Sequence, residues 1–497
     1  MARVRATKTR GPSCWIWVSF LLLVIQSSPL LAQDLLWSRN FGGVYSELGY
    51  AGVATYDHGL ALVGSTFSYG SGDYDVYLLR LDSIGDTLWT RTYGGSATDN
   101  GHDIQQTPDS GFMIIGTTNS TGHGKEDVYL LRVDARGNLL WSRTFGGSQS
   151  DEGWSIRSTY DGGYILCGTT SSSGAGYADL LLLKINASGD SLWSRTFGGP
   201  GGESGFAVRQ TRDSGFIAAG ATGSFGEGYS SMYAIRTNPR GDSIWAKTYG
   251  GPKADLGYSV EVTPDGDFIF AGATASWGLG YYDAYLVRTD PDGVELWERT
   301  YGGTLDDRGY SVCLTPDGGC LLAGTTESFG AGSVDMYAVK IDPTGEIVWS
   351  REYGGSQADY CRAALRDYAG RYVLVGYSFS YSRGGSDLYL VRLSGDQGTP
   401  VNDPNRGNLP DGFSLEQNYP NPFNLSTTMT FSLGRQSSVR LVIFNILGQP
   451  VREWTLPHLV QGTYSVEWDG TTATGQVAAT GVYFYRIEAG PLNESRK

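Results

Sequence analysis

The residues that could do chemistry recur on a fixed step. Acids fall at Glu47, Asp99, Asp151, Glu203, Asp255, Asp307 and Asp359, each 52 residues after the last. Each is followed two residues later by Gly, except at Asp359, where Cys361 stands. A second set falls at Asp75, Asp127, Asp179, Asp283, Asp335 and Asp387, with Ser231 in the remaining slot. Carboxylates among Gly-rich turns can hold calcium. They can also accept backbone N–H bonds and fix their loops. A part present in every unit usually serves the unit, so the second role is the expected one. No stretch has EF-hand spacing. No cofactor is expected, with calcium as the alternative.

Aromatic residues break the symmetry. Tyr69, Phe225, Trp277, Phe329 and Tyr381 share one repeat position, where Thr121 and Ser173 fill the other two slots. Tyr74, Tyr177, Tyr229, Tyr281 and Tyr282 lie close by in the sequence. Rings edged by Asp and Gly offer an apolar face plus hydrogen-bond acceptors, the chemistry that grips sugars or peptide side chains. They could equally pin their own loops, and the residues leave both readings open. Arg308, Arg362 and Arg383 also stand out of pattern.

Small or polar residues alternate in a third set, with Asp103, Ser155, Ser259 and Ser311 at one position and Gln105, Arg157, Arg209 and Glu261 two residues on. Asp103 and Glu261 are its carboxylates. A hydrolase would need two such groups about 5–9.5 Å apart. The sequence does not fix that separation, and His102 and His123 accompany no nucleophile–base pattern. The expectation is no catalytic site, with Asp103 and Glu261 as the candidates if one exists.

The elements that must position these groups follow from the same step. Trp37, Trp89, Trp141, Trp193, Trp245, Trp297 and Trp349 are each followed four residues later by Phe or Tyr and then Gly-Gly. A strict period of this length marks stacked supersecondary units. Within one unit, residues 153–159, 164–169, 179–185 and 191–197 read as strands, divided by Asp161-Gly162-Gly163, a Gly-rich loop at 171–176, and Ser188-Gly189-Asp190. Asp supplies the side-chain acceptor of such turns and Gly the positive φ. The run Leu180 to Leu183 is apolar without alternation, which implies burial on both faces. Four antiparallel strands in one repeat make one propeller blade. Each tryptophan and its aromatic partner should pack between blades. The first unit is a lone fourth strand around Trp37, and the last has three strands and no fourth. The first can therefore complete the last, which removes both free sheet edges. The expected fold is all-β, a seven-bladed β-propeller over 34–394 with the first strand lining its axis. A linker covers 395–411 and a small Ig-like β-sandwich covers 412–497.

Length and composition agree with this division. The chain has 497 residues, 72 of them Gly, and a net charge of −14. Residues 1–33 carry four basic and no acidic residues, so removing them gives −18. That charge repels phosphate backbones and argues against a nucleic-acid partner. The basic start, the apolar run from Cys14 to Ile25 and Ala32 near a plausible cut read as an export signal too short to span a bilayer. No other apolar run is long enough to span, so the mature chain should have no membrane span. Cys167, Cys313, Cys320 and Cys361 are too few and irregular for a disulfide scaffold.

The repeat resembles the β-propeller repeats of bacterial surface proteins. Leu81-Asp82-Ser83-Ile84-Gly85-Asp86-Thr87-Leu88-Trp89 also resembles the tryptophan-docking motif of quinoprotein propellers, with one residue fewer between Asp and Gly. That likeness implies a blade and no quinone. Kelch repeats are similar in length and double Gly but differ in residue order. Phe413 to Asn424, then Val442-Ile443-Phe444-Asn445-Ile446-Leu447-Gly448-Gln449, Trp468-Asp469-Gly470 and Gly481-Val482-Tyr483-Phe484-Tyr485, resemble the C-terminal sorting domain of the type IX secretion system. This implies a Bacteroidetes-type bacterium, export by that machinery through 413–490, and release or attachment at the cell surface. Such domains continue into a short apolar strand beyond the point where Arg496-Lys497 stands. A truncated chain or impaired export is therefore expected.

These readings converge on a secreted or surface-attached, non-catalytic module that binds glycans or proteins. A carbohydrate-active enzyme and a structural spacer are the alternatives.

Overall fold

Turn chemistry cuts each unit into four strands of seven or eight residues, and the strands pair in sequence order. The computed structural model describes residues 35–395 and, beyond them, strands and short connections between 414 and 496. The export signal at 1–33 and nearly all of the linker at 395–411 lie outside the described residues. Seven four-stranded antiparallel sheets form the first region. Their inner strands are Glu47–Ala54, Asp99–Gln106, Asp151–Ser158, Glu203–Gln210, Asp255–Val262, Asp307–Leu314 and Asp359–Arg366. We number the sheets one to seven in that order. Each inner strand touches the next, and the strand at Asp359–Arg366 touches the one at Glu47–Ala54, so the sheets follow one another in a closed cycle like the blades of a propeller. No helix among the described residues is long and apolar enough to cross a membrane.

Closure uses the beginning of the chain. Leu35–Phe41 pairs antiparallel with Asp387–Leu393, with Trp37 opposite Arg392 and Phe41 opposite Leu388. It becomes the outer strand of sheet seven. The second and third strands of every sheet are almost wholly buried, as their continuous apolar runs require. The outer strands begin with two exposed residues and are mostly exposed or partly buried beyond them.

Neighbouring sheets are docked by the tryptophans. Trp89 lies against the turn between the third and fourth strands of the next sheet, where a Cβ on Gly137 would be 2.8 Å from its ring. Gly137 also has a φ of 77°, so both space and conformation demand glycine there. Gly85, Gly189, Gly241, Gly293 and Gly345 meet the tryptophan of the preceding sheet in the same way. The partner ring adds a polar tie: the hydroxyls of Tyr93, Tyr249 and Tyr301 donate to the carbonyls of Gly137, Gly293 and Gly345 at 2.6–2.9 Å.

A second periodic device was not read from the sequence. The Lys or Arg of each third strand pairs with the Asp of the same sheet's first turn. These are Arg80–Asp57, Arg132–Asp109, Lys184–Asp161, Arg236–Asp213, Arg288–Asp267, Lys340–Asp317 and Arg392–Asp367. Cys167, Cys320 and Cys361 are buried free thiols, and Cys313 is partly buried and also free.

The second region is a two-sheet sandwich. Ser414–Leu415, Thr427–Leu433 and Gly462–Trp468 form one sheet; Pro450–Leu459, Ser437–Asn445, Tyr483–Ala489 and Leu492–Arg496 form the other. Met429, Phe431, Leu441, Ile443, Trp468 and Ile487 fill the space between them.

Candidate functional site: an aromatic collar

Every inner strand carries a bulge at one repeat position, where the pairing register slips by one residue. An extra residue in one strand re-aims its side chain. The bulged residues are Tyr50, His102, Trp154, Phe206, Tyr258, Tyr310 and Arg362, all partly exposed and each preceded by a buried residue. The glycine opposite makes room. A Cβ on Gly116 would sit 1.7 Å from the Asn100 carbonyl oxygen, and Gly64, Gly168, Gly220, Gly272, Gly324 and Gly376 are equally crowded.

The seven side chains meet in a circle. Tyr50 meets His102 edge-on at 5.4 Å, and His102 stacks on Trp154 at 4.1 Å with planes 8° apart. Trp154 meets Phe206 at 5.7 Å, Phe206 meets Tyr258 at 5.4 Å, and Tyr258 meets Tyr310 at 5.0 Å. The Arg362 guanidinium lies 4.5 Å from the centre of the Tyr310 ring. Its charge also reaches Tyr50, whose hydroxyl burial pushes up to about 12 despite it. Six aromatic rings and one cation thus run around the axis.

Two residues earlier, on the same strand face, stand Leu48, Asn100, Glu152, Ser204, Leu256, Arg308 and Tyr360, also partly exposed. Glu152 accepts from Trp154 Nε1 at 2.9 Å, and burial raises its carboxyl above the usual range. Arg308 is engaged by Asp306 at 2.7 Å and lies over Tyr282. The collar was missed in the sequence because the inner strand was read as strictly alternating. The signal was present: position 50 and its repeats are aromatic six times in seven.

The bulge also changes what Asp103 and Glu261 do. Asp103 is buried and accepts from the Ile156 amide at 3.0 Å, from Ser155 Oγ at 3.2 Å and from Arg157. Glu261 is paired with Arg209 at 2.6 Å. Burial, then the nearby charge of Arg209, holds the Arg157 guanidinium below its usual pKa. The arrangement is a neutralised tetrad that ties inner strands together. A carboxylate locked to a guanidinium is poorly suited to general acid work.

The loop aromatics lie on five consecutive sheets of the ring, four to seven and one. Tyr69, Phe225, Trp277, Phe329 and Tyr381 are 41–47 % exposed, so each shows about half its surface to solvent. Four lean on a tyrosine of their own third strand: Tyr69 on Tyr77, Phe225 on Tyr233, Phe329 on Tyr337 and Tyr381 on Tyr389, at 5.3–6.0 Å. Trp277 covers Gly251, where a Cβ would be 2.8 Å from its ring. These rings both pin their loops and stay partly open.

The periodic acids face each other in pairs. A Cβ on Gly94 would lie 2.0 Å from Asp75 Oδ1 and 2.6 Å from Asp99 Oδ2. Asp99 accepts from the Gly95 amide and Ser120 Oγ, and Asp75 from the Ser71 amide, at 2.6–2.7 Å. Burial, with the charge of the facing acid behind it, holds Asp75, Asp283 and Asp335 above the usual carboxylate range. Among the described residues no group of three or more His, Cys, Asp or Glu gathers as a metal centre.

His102 gives the collar a pH dependence. Burial lowers its pKa from 6.5 to about 4, against the opposing bond from its ring to the Gly153 carbonyl. The unfolded chain therefore takes up this proton at higher pH than the folded one. Stability should fall as pH drops from about 6.5 to about 4, by on the order of 2 kcal/mol given the partial exposure of the ring. Unfolding midpoints at pH 7 and pH 4.5 check this. His102→Phe should lose less between the two than the parent chain, and an equal loss would refute the assignment.

No curated protein matches the chain. A fungal alcohol oxidase of the AA5 family, solved with copper, is 13 % identical with a TM-score of 0.47, over 92 % of this chain and 96 % of its own. A protein of unknown function from Dyadobacter fermentans is 14 % identical with a TM-score of 0.39, over 73 % of this chain and 99 % of its own. Puromycin hydrolase is 15 % identical with a TM-score of 0.44, over 78 % of this chain and 59 % of its own. Likenesses this distant say nothing about activity. Residues 422–491 match the FlgD Ig-like domain family, which accords with the sandwich found there.

Proposed function

We propose that this is a secreted or surface-attached seven-bladed propeller that binds a glycan or protein without transforming it. The observation that carries the reading is the collar. Six partly exposed aromatic rings converge on one axis, where packing alone would be served by the buried aliphatics beside them. The half-exposed Tyr69, Phe225, Trp277, Phe329 and Tyr381 occupy neighbouring sheets and would extend the surface for a larger ligand. Export rests on the signal-like residues 1–33 and on the resemblance of 413–490 to a type IX sorting domain; an Ig-like domain at 422–491 is compatible with that role.

The test is a glycan array together with a panel of purified surface proteins, probed with the full chain and two variants. A retained ligand that Trp154→Phe weakens supports the collar. Binding that responds to Trp277→Ala but not to Trp154→Phe moves the site to the rim. Retention of nothing on either panel counts against a binding module.

A further inference from the structure

Arg362 differs from the other enclosed cations of the ring. The third-strand Lys and Arg residues each have a carboxylate partner, as do Arg157, Arg209 and Arg308. Arg362 forms no ion pair among the described residues, and its Nε is buried without a hydrogen-bond acceptor. Its surroundings are the rings of Tyr310, Tyr360 and Tyr377, at 4.5, 5.9 and 5.7 Å from the guanidinium carbon. One nitrogen donates to the Tyr377 hydroxyl at 3.1 Å. Ring faces compensate a buried cation in part. A guanidinium without an anionic partner remains costly to bury. Its planar fork matches a carboxylate in particular.

We infer that Arg362 receives the carboxylate of an acidic sugar, a uronate residue of an oligosaccharide whose ring lies against the aromatic collar. This rests on the collar being the binding site. The neighbouring Tyr310, Tyr258 and Phe206 offer apolar ring surface to the C–H face of a pyranose. Asn100, Glu152 and Ser204 stand beside the collar as partners for hydroxyl groups. A single carboxylate also suits the chain better than a polyphosphate, because the net charge of −14 repels dense negative charge at longer range.

Calorimetric titration of the full chain tests this. The probes are oligomers of galacturonate, mannuronate and glucuronate, each beside its neutral methyl ester, and a peptide with an aromatic C-terminal residue and a free carboxylate. At least one uronate should bind about tenfold or more tightly than its ester, the size of one charge-assisted bidentate contact. Arg362→Met, close in volume and uncharged, should bring acid and ester together, with a native unfolding midpoint confirming the fold. Arg362→Lys should restore only part of the preference. Equal binding of acid and ester, or a preference that survives Arg362→Met, overturns the proposal. So does binding of the peptide alone, which would leave the collar as a site for protein termini. If no probe binds while the array yields another ligand sensitive to Trp154→Phe, the uronate assignment fails and the binding-module reading stands.

Discussion

A chain lacking Leu35–Phe41 should lose the single cooperative unfolding transition of the ring and aggregate at concentrations where the parent stays soluble. That strand is the outer strand of sheet seven, and its loss uncovers the whole edge of Asp387–Leu393. It also removes Trp37 and Phe41 from the cluster formed by Leu62, Leu79, Val375 and Leu390. Trp37 is held twice more, under the Arg392 guanidinium at 5.5 Å and against Gly85 of the next sheet. Asn40 bonds to Asp387 at 2.9 Å and to the Tyr381 carbonyl at 2.6 Å. Losing two packed aromatics costs on the order of 5 kcal/mol even with their partial exposure discounted. That is comparable to the whole stability of a typical domain, about 5–15 kcal/mol. Closing the long loop costs little more entropy than closing a short one, so the link stabilises nearly in full. A rearranged chain with residues 35–41 placed after Leu393 should recover the transition, because the strand would then follow its partner as the fourth strand does in every other sheet. Thermal unfolding followed by near-ultraviolet dichroism decides the matter. An unchanged midpoint in the deletion would mean that the ring does not depend on this closure.

The period of 52 made the sheets, their count and their closure legible, because a spacing repeated seven times averages out the ambiguity of any single strand. The tryptophan contacts were legible for the same reason. The loop acids were legible as a choice between two roles, and Asp99 takes the loop-fixing one by accepting from the Gly95 amide and the Ser120 hydroxyl. The collar was hidden by a local irregularity. Strict alternation puts residues 101, 103 and 105 on one face, but the slip between Gly101 and Asp103 breaks that count. His102 is thereby aimed at its neighbours in the ring, while Asp103 turns to the next inner strand. Bulges are set by two strands at once, so no one strand's pattern announces them. The ion pairs were missed because their partners lie 21–25 residues apart within a sheet, a distance that only the hairpin order joins.

Gly116→Ala should be among the most damaging single methyl additions near the site, and it should disturb the collar from behind. The added Cβ would sit 1.7 Å from the Asn100 carbonyl oxygen and 2.8 Å from its carbon. Both are backbone atoms, so no side chain can swing away. The inner strand must move off, which weakens the pairing of Asn100 with Thr117 and of Gly101 with Gly116. It must also shift His102, the residue inserted at that slip. Overpacking of this kind costs about 3 kcal/mol or more. Gly202→Ala is the natural control. It lies near the start of the next inner strand but one, with nothing within 4 Å of its Cβ, and should change stability by less than about 0.5 kcal/mol. The stacked pair supplies a local readout, because Trp154 lies 4.1 Å from His102 and its emission should respond to a change in that contact. Gly116→Ala should lower the unfolding midpoint and alter Trp154 emission together, measured against Trp154→Phe in both backgrounds. A lowered midpoint with unaltered Trp154 emission would separate the glycine from the collar. An unaltered midpoint would show that the strand takes the methyl without moving, and that the bulge does not depend on the missing side chain opposite it.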